Sequence, residues 1–149
     1  MEELQNQSKV LLADVFAFYL KTHFYHWNVE GNDFYSKHQF FGKIYEEVYE
    51  SVDLIAEHIR TLNAYAPGSL GRFKSITNIS EDDVIKPTKD MVAQLFTDND
   101  IVLNTLKKTY VLAEKENELG YANFIQDRID AHKKHQWMLR STMKRADNG

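Results

Sequence analysis

The sequence contains no cysteine, and its 149 residues include only two prolines and six glycines. The absence of cysteine excludes disulfides, zinc–thiolate sites, iron–sulfur clusters and thiol catalysis. The scarcity of proline and glycine leaves long stretches of chain free of helix breakers. No run of about 18 apolar residues occurs, so no membrane span is predicted. We therefore expect one domain over residues 1–149 that consists mainly of long helices.

Positive charge is scarce as well. The formal net charge of −4 and the pI near 5.8 give no general attraction to nucleic acid or to anionic lipid. Residues 1–10, MEELQNQSKV, lack the cationic stretch followed by an apolar run that marks a secretory signal. These features predict a cytoplasmic protein without a membrane partner.

Neither end of the chain has the pattern of a DNA-binding arm. Binding to phosphates needs several neutralising contacts, and residues 1–10 are net negative. Near the C-terminus, Arg140, Lys144 and Arg145 are followed by Asp147, which makes a short basic patch and not an arm. Joining many copies in one shell would multiply weak contacts, but we expect this chain not to bind DNA.

Four long segments show apolar residues at helical spacing. The predicted helices cover residues 5–29, residues 34–64, a segment that begins with Thr88 as its cap, and residues 118–144. The first is apolar over most of its circumference, which predicts burial on several sides and, in a chain this short, contact with another subunit. The second carries a single core seam, which consists of Phe41, Ile44, Val48, Val52, Ile55, Ile59 and Leu62.

A long connection, residues 66–87, separates the second helix from the third. Such a loop in a compact domain is unusual unless it contains an element of its own. Ser80 followed by acids at positions 81–83 has the pattern of a helix start, and Pro87 would end that helix. The predicted fold class is all-α, a ferritin-like four-helix bundle with a short extra helix in the connection between its second and third helices.

The stretch THFYHWNVEG, residues 22–31, holds His23 and His26 three residues apart among aromatic side chains. Side chains at this spacing share one face of a helix, so the two rings are either metal ligands or packed aromatic groups. The usual metal site inside a four-helix bundle uses Glu-x-x-His on two helices, and no Glu-x-x-His occurs in this chain. A site inside one bundle is therefore not expected.

The second predicted helix offers Asp53 and Glu57, which share a face at i, i+4, and His38 near its start. At about 1.5 Å per residue, His38 and Asp53 are roughly 22 Å apart, so they cannot hold one ion within a chain. His26 lies across the turn, at the His38 end. Two copies packed antiparallel about a two-fold axis would bring the histidines of one to the acids of the other and form two equivalent sites. Imidazole and carboxylate ligands suit iron or zinc.

Each of these residues also has a simpler explanation. Asp53 and Glu57 would form a solvated helix face, and His38 would be a surface histidine. His26, in its aromatic surroundings, would be a hydrogen-bonded histidine of the core. His23 is explained either by packing or by a position beside the ligands.

The segment KTHFYHWNVEGNDFYSKH, followed by VDLIAEHIR, resembles the Dps family of twelve-subunit mini-ferritins. The shared features are a His-Trp-Asn-x-x-Gly core, a second histidine twelve positions after the first, and Asp-x-x-x-Glu-x-Ile. KHQWMLRSTM is similar to the last helix of the family, so the resemblance spans the whole chain. It implies a homo-oligomer, a dodecamer, that oxidises ferrous iron, preferentially with hydrogen peroxide, and stores it as ferric mineral in a hollow shell.

The resemblance also implies a set of catalytic and metal-binding residues at the two-fold interface. His26 and His38 of one subunit would face Asp53 and Glu57 of the partner subunit, and His26 with the two acids would hold one iron. Trp27 matches the tryptophan beside the metals, which the resemblance links to the metal environment and to radical quenching. Interface packing explains Trp27 as well.

One ligand position departs from the family pattern. Relatives usually carry an acid four residues after the second histidine, and here that residue is Gly42. Glycine offers no ligand and costs about 1 kcal/mol in a helix against alanine. Glu46, one turn further, or a water would have to take the place of the acid. We therefore expect an intact position for one iron and a weakened position, beside His38, for the second.

Two functions follow from these patterns. The first is a ferroxidase that stores iron and thereby removes peroxide. The alternative is a Dps-like cage with a weakened site that acts mainly as a structural, metal-sequestering or DNA-protecting protein. A helical oligomer without metal would leave the placement of histidines and acids unexplained.

Overall fold

The computed structural model describes residues 1–144, and over this range the chain forms five α-helices and no strand. They are α1 (Glu2–Asn28), α2 (Phe34–Thr61), α3 (Leu70–Ile76), α4 (Thr88–Lys115) and α5 (Leu119–Met143). The four long helices agree with the predicted segments to within a few residues, which confirms the all-α class. None of these helices combines the length and the apolarity needed to cross a membrane. Arg145 and Asp147 of the basic patch lie outside the described range.

The four long helices pair as two hairpins. α1 packs on α2, α4 packs on α5, and the two hairpins join through α1 and α4. Because α3 also packs on α1, α1 contacts three other helices, which confirms its predicted burial on several sides. The core between the helices includes large side chains at 0% exposure, among them Leu11, Phe18, Phe41, Ile55, Leu95 and Leu106.

The turn between α1 and α2 positions the candidate ligands. α1 ends where the backbone of Val29 becomes extended, with φ −64° and ψ 141°, and buries its side chain. Gly31 then adopts φ +122°, a conformation that residues with a Cβ rarely adopt. Asp33 precedes α2, and its carboxylate pairs with Lys37 at 3.1 Å instead of capping the helix. This short path folds α2 directly back onto α1.

The connection between α2 and α4 does contain a short helix, but at a different place from the predicted one. α3 begins at Leu70 after Ser69, whose hydroxyl accepts a hydrogen bond from the backbone N–H of Arg72 at 3.2 Å. The prediction of a helix that starts at Ser80 is wrong, because the structure has no helix between Ile76 and Thr88.

Asp14, a buried carboxylate of α1, holds the chain that follows α3. Its Oδ1 accepts hydrogen bonds from the Thr77 hydroxyl at 2.7 Å and from the backbone N–H of Asn78 at 2.6 Å. Its Oδ2 accepts one from the Thr105 hydroxyl of α4 at 2.7 Å. A buried carboxylate is tolerated when its lone pairs are satisfied in this way. The bonds hold Thr77 in extended backbone and bury Ile79, which takes the chain off a helical path.

Asp82, one of the acids that had the pattern of a helix start, instead connects its own segment with α1. Asp82 accepts hydrogen bonds from the Tyr25 hydroxyl of α1 and from the backbone N–H of Val84, and it pairs with Lys86 at 2.7 Å. Burial acts to raise the pKa of Asp82, but the bonds from Lys86 and Tyr25 prevail and lower it to about 2. Residues 80–87 therefore form a strap across α1.

A buried ion pair joins the two hairpins. Lys21 Nζ of α1 lies 2.6 Å from Asp98 Oδ2 of α4, and the two side chains are 4% and 3% exposed. Gln94 donates to the other carboxylate oxygen, Oδ1, at 3.0 Å. Removal of one partner from such a pair leaves an uncompensated charge in the interior.

We predict that Lys21→Met lowers the free energy of unfolding by about 3–5 kcal/mol, because Asp98 is then buried without its cation. Chemical denaturation at a fixed protein concentration measures the loss. The matched control is Lys37→Met, which removes the more exposed pair with Asp33 and should cost far less, because solvent screens that pair. Equal losses in the two variants would show that the buried pair is not a special link between the hairpins.

Candidate metal centre

The turn between α1 and α2 brings His26 and His38 into direct contact. Their rings stack with centroids 3.8 Å apart and an interplanar angle of 15°. His26 Nδ1 lies 2.6 Å from the backbone carbonyl oxygen of His38, and His38 Nδ1 lies 2.6 Å from that of His26. The two histidines therefore hold each other in place through a reciprocal pair of hydrogen bonds.

These bonds determine which nitrogen of each ring is available. A carbonyl oxygen can only accept, so Nδ1 of each histidine must carry the proton and donate it. In the neutral imidazole, Nε2 of each ring then keeps its lone pair. Histidines that bind metals usually donate their other ring N–H to a carbonyl or carboxylate in this manner, which fixes the tautomer and the ring orientation. His26 and His38 thus have the chemistry of two preorganised nitrogen ligands.

Gly42 lies beneath the ring of His26. A Cβ built at this buried position would lie 3.1 Å from both Cε1 and Nδ1 of His26. The glycine therefore lets the imidazole rest on the backbone of α2. Any larger residue would require the ring to shift by a few tenths of an ångström.

The predicted carboxylate ligands do not meet the histidines within one chain. Asp53 and Glu57 lie on the exposed side of α2, and within residues 1–144 neither forms an ion pair or a side-chain hydrogen bond. In the same range no three His, Asp or Glu side chains come together as a group that could hold a metal ion. Glu46 is also exposed. Its charge acts to raise the pKa of His23, against the stronger lowering by burial and by His26.

His23 packs among aromatic rings and also lies beside the candidate ligand His26, with ring centroids 5.9 Å apart, so both of its interpretations stay open. Its ring lies between Trp27, with centroids 3.9 Å apart, and Tyr45, at 3.8 Å and an interplanar angle of 11°. The Tyr19 hydroxyl lies 3.0 Å from His23 Nδ1. Trp27 covers one face of His23 and remains 59% exposed. The exposed indole leaves both interpretations of Trp27 open, as a group beside the metals and as an interface contact.

A polar cluster that was not predicted from the sequence reaches from the partly exposed Glu47 into the bundle interior. Arg128 of α5 forms a bidentate salt bridge with Glu47 of α2, and His135 Nε2 lies 2.7 Å from Glu47 Oε1. His132 is fully buried, and its Nδ1 lies 2.7 Å from Oδ1 of Asn99 on α4. The signal in the sequence was three polar residues on one face of α5, at positions 128, 132 and 135.

Two residues of this polar cluster, Glu47 and His132, have strongly shifted pKa values. Burial acts to raise the pKa of Glu47, but the hydrogen bonds from His135 and Arg128 prevail and hold it far below its usual value. Burial lowers the pKa of His132 well below its usual value, and the charges of Arg128 and His135 lower it further. Glu47 is therefore a carboxylate, and His132 a neutral imidazole, at pH 7.

Comparison with known proteins identifies the family. A family model described as a ferritin-like domain matches residues 7–148. The chain is 29% identical over 132 residues to the DNA protection during starvation protein of Helicobacter pylori. The alignment covers 88% of this chain and 92% of that protein. The crystal structure of the Dps protein from Vibrio cholerae O1 superposes with a TM-score of 0.92 at 29% identity, over 96% of this chain and 90% of that one. The chain is a member of the Dps family.

A further relative with higher identity, and the description of the Vibrio cholerae structure, extend this result. The chain is 36% identical over 133 residues to a low temperature-induced protein of Nostoc sp., with 87% of this chain and 74% of that protein covered. The Vibrio cholerae protein is described as a member of a broad superfamily of ferritin-like diiron-carboxylate proteins. This Dps-family chain therefore has the fold of an iron-binding mini-ferritin.

We predict that the stability of the subunit falls as the pH drops below about 6.5, the ordinary pKa of histidine, and that His132 contributes to the fall. Because its pKa is depressed in the folded state, the unfolded chain takes up the proton first, and the stabilisation present above 6.5 is lost as the pH falls. The slope is at most about 1.4 kcal/mol per pH unit for one group.

The measurement is the free energy of unfolding of the wild type and of His132→Gln between pH 7 and pH 5. The variant should be less stable throughout but show a shallower slope. His58→Gln is the control. His58 is only partly buried, and burial lowers its pKa less than it lowers the pKa of His132. A slope that stays unchanged in His132→Gln would contradict the prediction.

Proposed function

We propose that this chain binds ferrous iron and oxidises it, with hydrogen peroxide or oxygen, at sites shared between two subunits. The observation that carries the proposal is the reciprocal bonding of His26 and His38, because it leaves two oriented Nε2 lone pairs at one end of α2. Membership of the Dps family supports iron as the metal. Iron here is the substrate and the stored product, and not a resident cofactor.

The position of the acids supports a site between subunits. Asp53 and Glu57 lie on the same helix as His38 but roughly 22 Å and more along it. An antiparallel pair of subunits would place the histidines of each chain against the acids of the other, and the two-fold axis would generate two equivalent sites. His26, with Asp53 and Glu57 of the partner subunit, would hold one iron. His38 would contribute to the second position.

The donor set suits this chemistry. Imidazole and carboxylate ligands bind ferrous iron and stabilise ferric iron, and a site with few protein ligands leaves positions open for the oxidant. We propose that the ferric product is stored as mineral inside a closed homo-oligomeric shell, a dodecamer as in the family pattern. Zinc takes the same ligands and would compete with iron at these sites.

The weakened-cage alternative has one specific observation in its favour, which is Gly42. The usual acid is absent at that position, and the space for it is taken by the His26 ring. Glu46 is exposed one turn further on, and it is the carboxylate that would have to compensate. In this alternative the chain sequesters metal or protects DNA mainly as an assembled shell. The residues described at the N-terminus, with Lys9 against Glu2 and Glu3, offer no basic arm for DNA.

The test of the shared site uses two inactive chains. His26→Ala removes the nitrogen ligand, and Asp53→Asn with Glu57→Gln removes the acids. Each variant alone should bind ferrous iron and form ferric product far more slowly than the wild type after addition of peroxide. Asp100→Asn, which removes an exposed acid of α4, is the control and should keep the wild-type rate.

Co-assembly of the two inactive chains decides where the site lies. Subunits that pair at random form mixed dimers half of the time, and each mixed dimer has one intact site and one that lacks His26 and both acids, so about a quarter of the wild-type activity should return. A site contained in one chain would stay inactive in every mixture. No recovery on co-assembly would therefore contradict the shared site, and wild-type rates in the separate variants would contradict the iron function.

We predict that Gly42→Asp raises the number of ferrous ions bound per site, because it supplies the acid that the second position lacks. Gly42→Ala is the matched control, since it brings the same Cβ into contact with His26 without a ligand. Anaerobic titration with ferrous iron should show additional binding in the aspartate variant alone. An equal stoichiometry in the aspartate variant and the wild type would mean that Glu46 or water already completes the second position.

A further inference from the structure

The guanidinium of Arg128 lies at the centre of the polar cluster between α2 and α5. Its Nη2 donates a hydrogen bond to Oε1 of Glu47 at 3.0 Å and lies 3.3 Å from Nε2 of His132. The same oxygen of Glu47 lies 2.7 Å from Nε2 of His135. One carboxylate oxygen and two imidazole nitrogens therefore gather around a single cationic group.

The side chains around the guanidinium are of the types that bind divalent transition metals. Two histidines and one carboxylate hold zinc or ferrous iron in many proteins and leave further positions open. His132 and His135 have the i, i+3 spacing of the Glu-x-x-His motif that bundle metal sites use, with a histidine in the place of the glutamate. Glu47 reaches them from a second helix, as a ligand of such a site would.

His132 already has the tautomer of a metal ligand. The amide nitrogen of Asn99 donates to the backbone carbonyl of His132 and to Gln136, so the amide oxygen of Asn99 is the atom that lies 2.7 Å from Nδ1 of His132. Because that oxygen can only accept, Nδ1 carries the proton, and Nε2 presents its lone pair to Arg128. Histidines that bind metals are oriented by a hydrogen bond of this kind.

We propose that Arg128 fills a metal position inside the bundle and thereby excludes divalent transition metals from it. A guanidinium stays protonated in proteins and offers only donors, so it satisfies the carboxylate and the imidazole lone pair as a metal cation would. It also pairs with the carboxylate in a bidentate manner, which fixes its position.

The distances show why the position is closed while Arg128 is present. Nη2 lies 3.0 Å and 3.3 Å from the atoms of Glu47 and His132, whereas metal bonds to such atoms span about 2.0–2.2 Å. The ligands would have to move inwards by about 1 Å each to hold an ion. This agrees with the absence of a three-residue metal group within residues 1–144.

Exclusion of metal from the interior leaves it to the ligands on the surface. The side chain of Glu47 is 38% exposed, so an ion in solution can reach its carboxylate. An open interior site would therefore compete with His26 and His38 for the same metal. Arg128 removes that competitor. The benefit for iron rests on the proposed function, whereas the exclusion itself does not.

A purely structural role for the cluster predicts a different behaviour. Arg128 would then serve only as a bridge between α2 and α5. Its removal would loosen the two helices without creating any affinity for metal. The two roles therefore separate in whether the chain gains a metal site when the guanidinium is removed.

The test measures cobalt binding with and without the guanidinium. It uses the assembled protein in a background without the proposed surface ligands, His26→Ala with Asp53→Asn and Glu57→Gln. Arg128→Ala in this background should bind about one Co²⁺ per subunit more than the background itself, with the visible absorbance of cobalt bound to imidazole and carboxylate. Arg128→Lys keeps a cation at the position and should show no gain.

Two controls assign the gain to the interior ligands. His132→Gln, added to Arg128→Ala, removes one imidazole of the proposed position and should abolish the gain. Lys133→Ala removes an exposed cation of the same helix in place of Arg128. It controls for the loss of positive charge alone and should bind no additional cobalt.

The stability of the variants gives a second measurement. Removal of Arg128 deprives Glu47 of its cation, and a bound metal should offset that loss. The midpoint of thermal unfolding of Arg128→Ala should therefore rise on addition of Co²⁺, while that of Arg128→Lys stays unchanged. Arg128→Gln, which keeps a neutral hydrogen-bonding group, is a second variant that should show the same gain.

The proposal is overturned if neither the alanine nor the glutamine variant binds more cobalt than the background. It is equally overturned if neither variant folds even with cobalt present, because a metal in the place of the guanidinium should restore the missing cation. Cobalt that the background binds as tightly as the wild type, and that His132→Gln does not remove, would count instead against the proposed surface ligands.

Discussion

The reciprocal hydrogen bonds between His26 and His38 are the interaction on which the candidate site depends. Each imidazole donates to the backbone carbonyl of the other residue, and each carbonyl belongs to the helix that the other ring must face. The arrangement depends on the tight turn through Gly31 and is accommodated by the bare backbone at Gly42. A turn longer by a few residues would separate the rings, and a side chain at position 42 would require the His26 ring to shift by a few tenths of an ångström.

Buried polar groups of α1 organise the rest of the bundle around this hairpin. Lys21 ties α1 to α4 through Asp98, and Asp14 ties it to the chain after α3 and to Thr105. Burial of these groups costs desolvation free energy, and the contacts offset this cost only because every polar atom finds a partner. They therefore contribute more to a single defined arrangement of the helices than to net stability. The position of α3 and of the strap that follows it is a consequence of where Asp14 lies.

The interior and the outer face of the bundle have opposite chemical characters. Inside, Glu47, Arg128, His132 and His135 satisfy one another. Outside, the α1–α2 hairpin presents the imidazoles of His26 and His38, carboxylates without ion pairs in the described residues, and the exposed rings of Trp27 and Tyr49. Reactive groups placed on a surface can become enclosed by a second subunit, and this is the physical basis of the proposed shared site.

The sequence by itself determined the four long helices and the ends of α1 and α2 at which the histidines lie. Helical periodicity is a local property, so the four long helices, their order and the turn that brings His26 towards His38 followed from spacing. The departure at Gly42 was visible for the same reason. The family motif added the expectation of iron chemistry. It could be recognised in the sequence because its residues lie close together in the chain.

The tertiary structure decided the contacts between segments that are distant in the chain. Ser80 and the acids after it have the local pattern of a helix start, but Asp14 and Tyr25 of α1 hold that segment in another conformation. The tautomers of the two histidines, the His26 ring above Gly42 and the stack of His23 between Trp27 and Tyr45 likewise depend on neighbours from a second helix. Spacing along a chain predicts which side chains share a helix face, whereas the partner opposite that face is set by how helices pack and, at the proposed site of Asp53 and Glu57, would be set by how subunits pack.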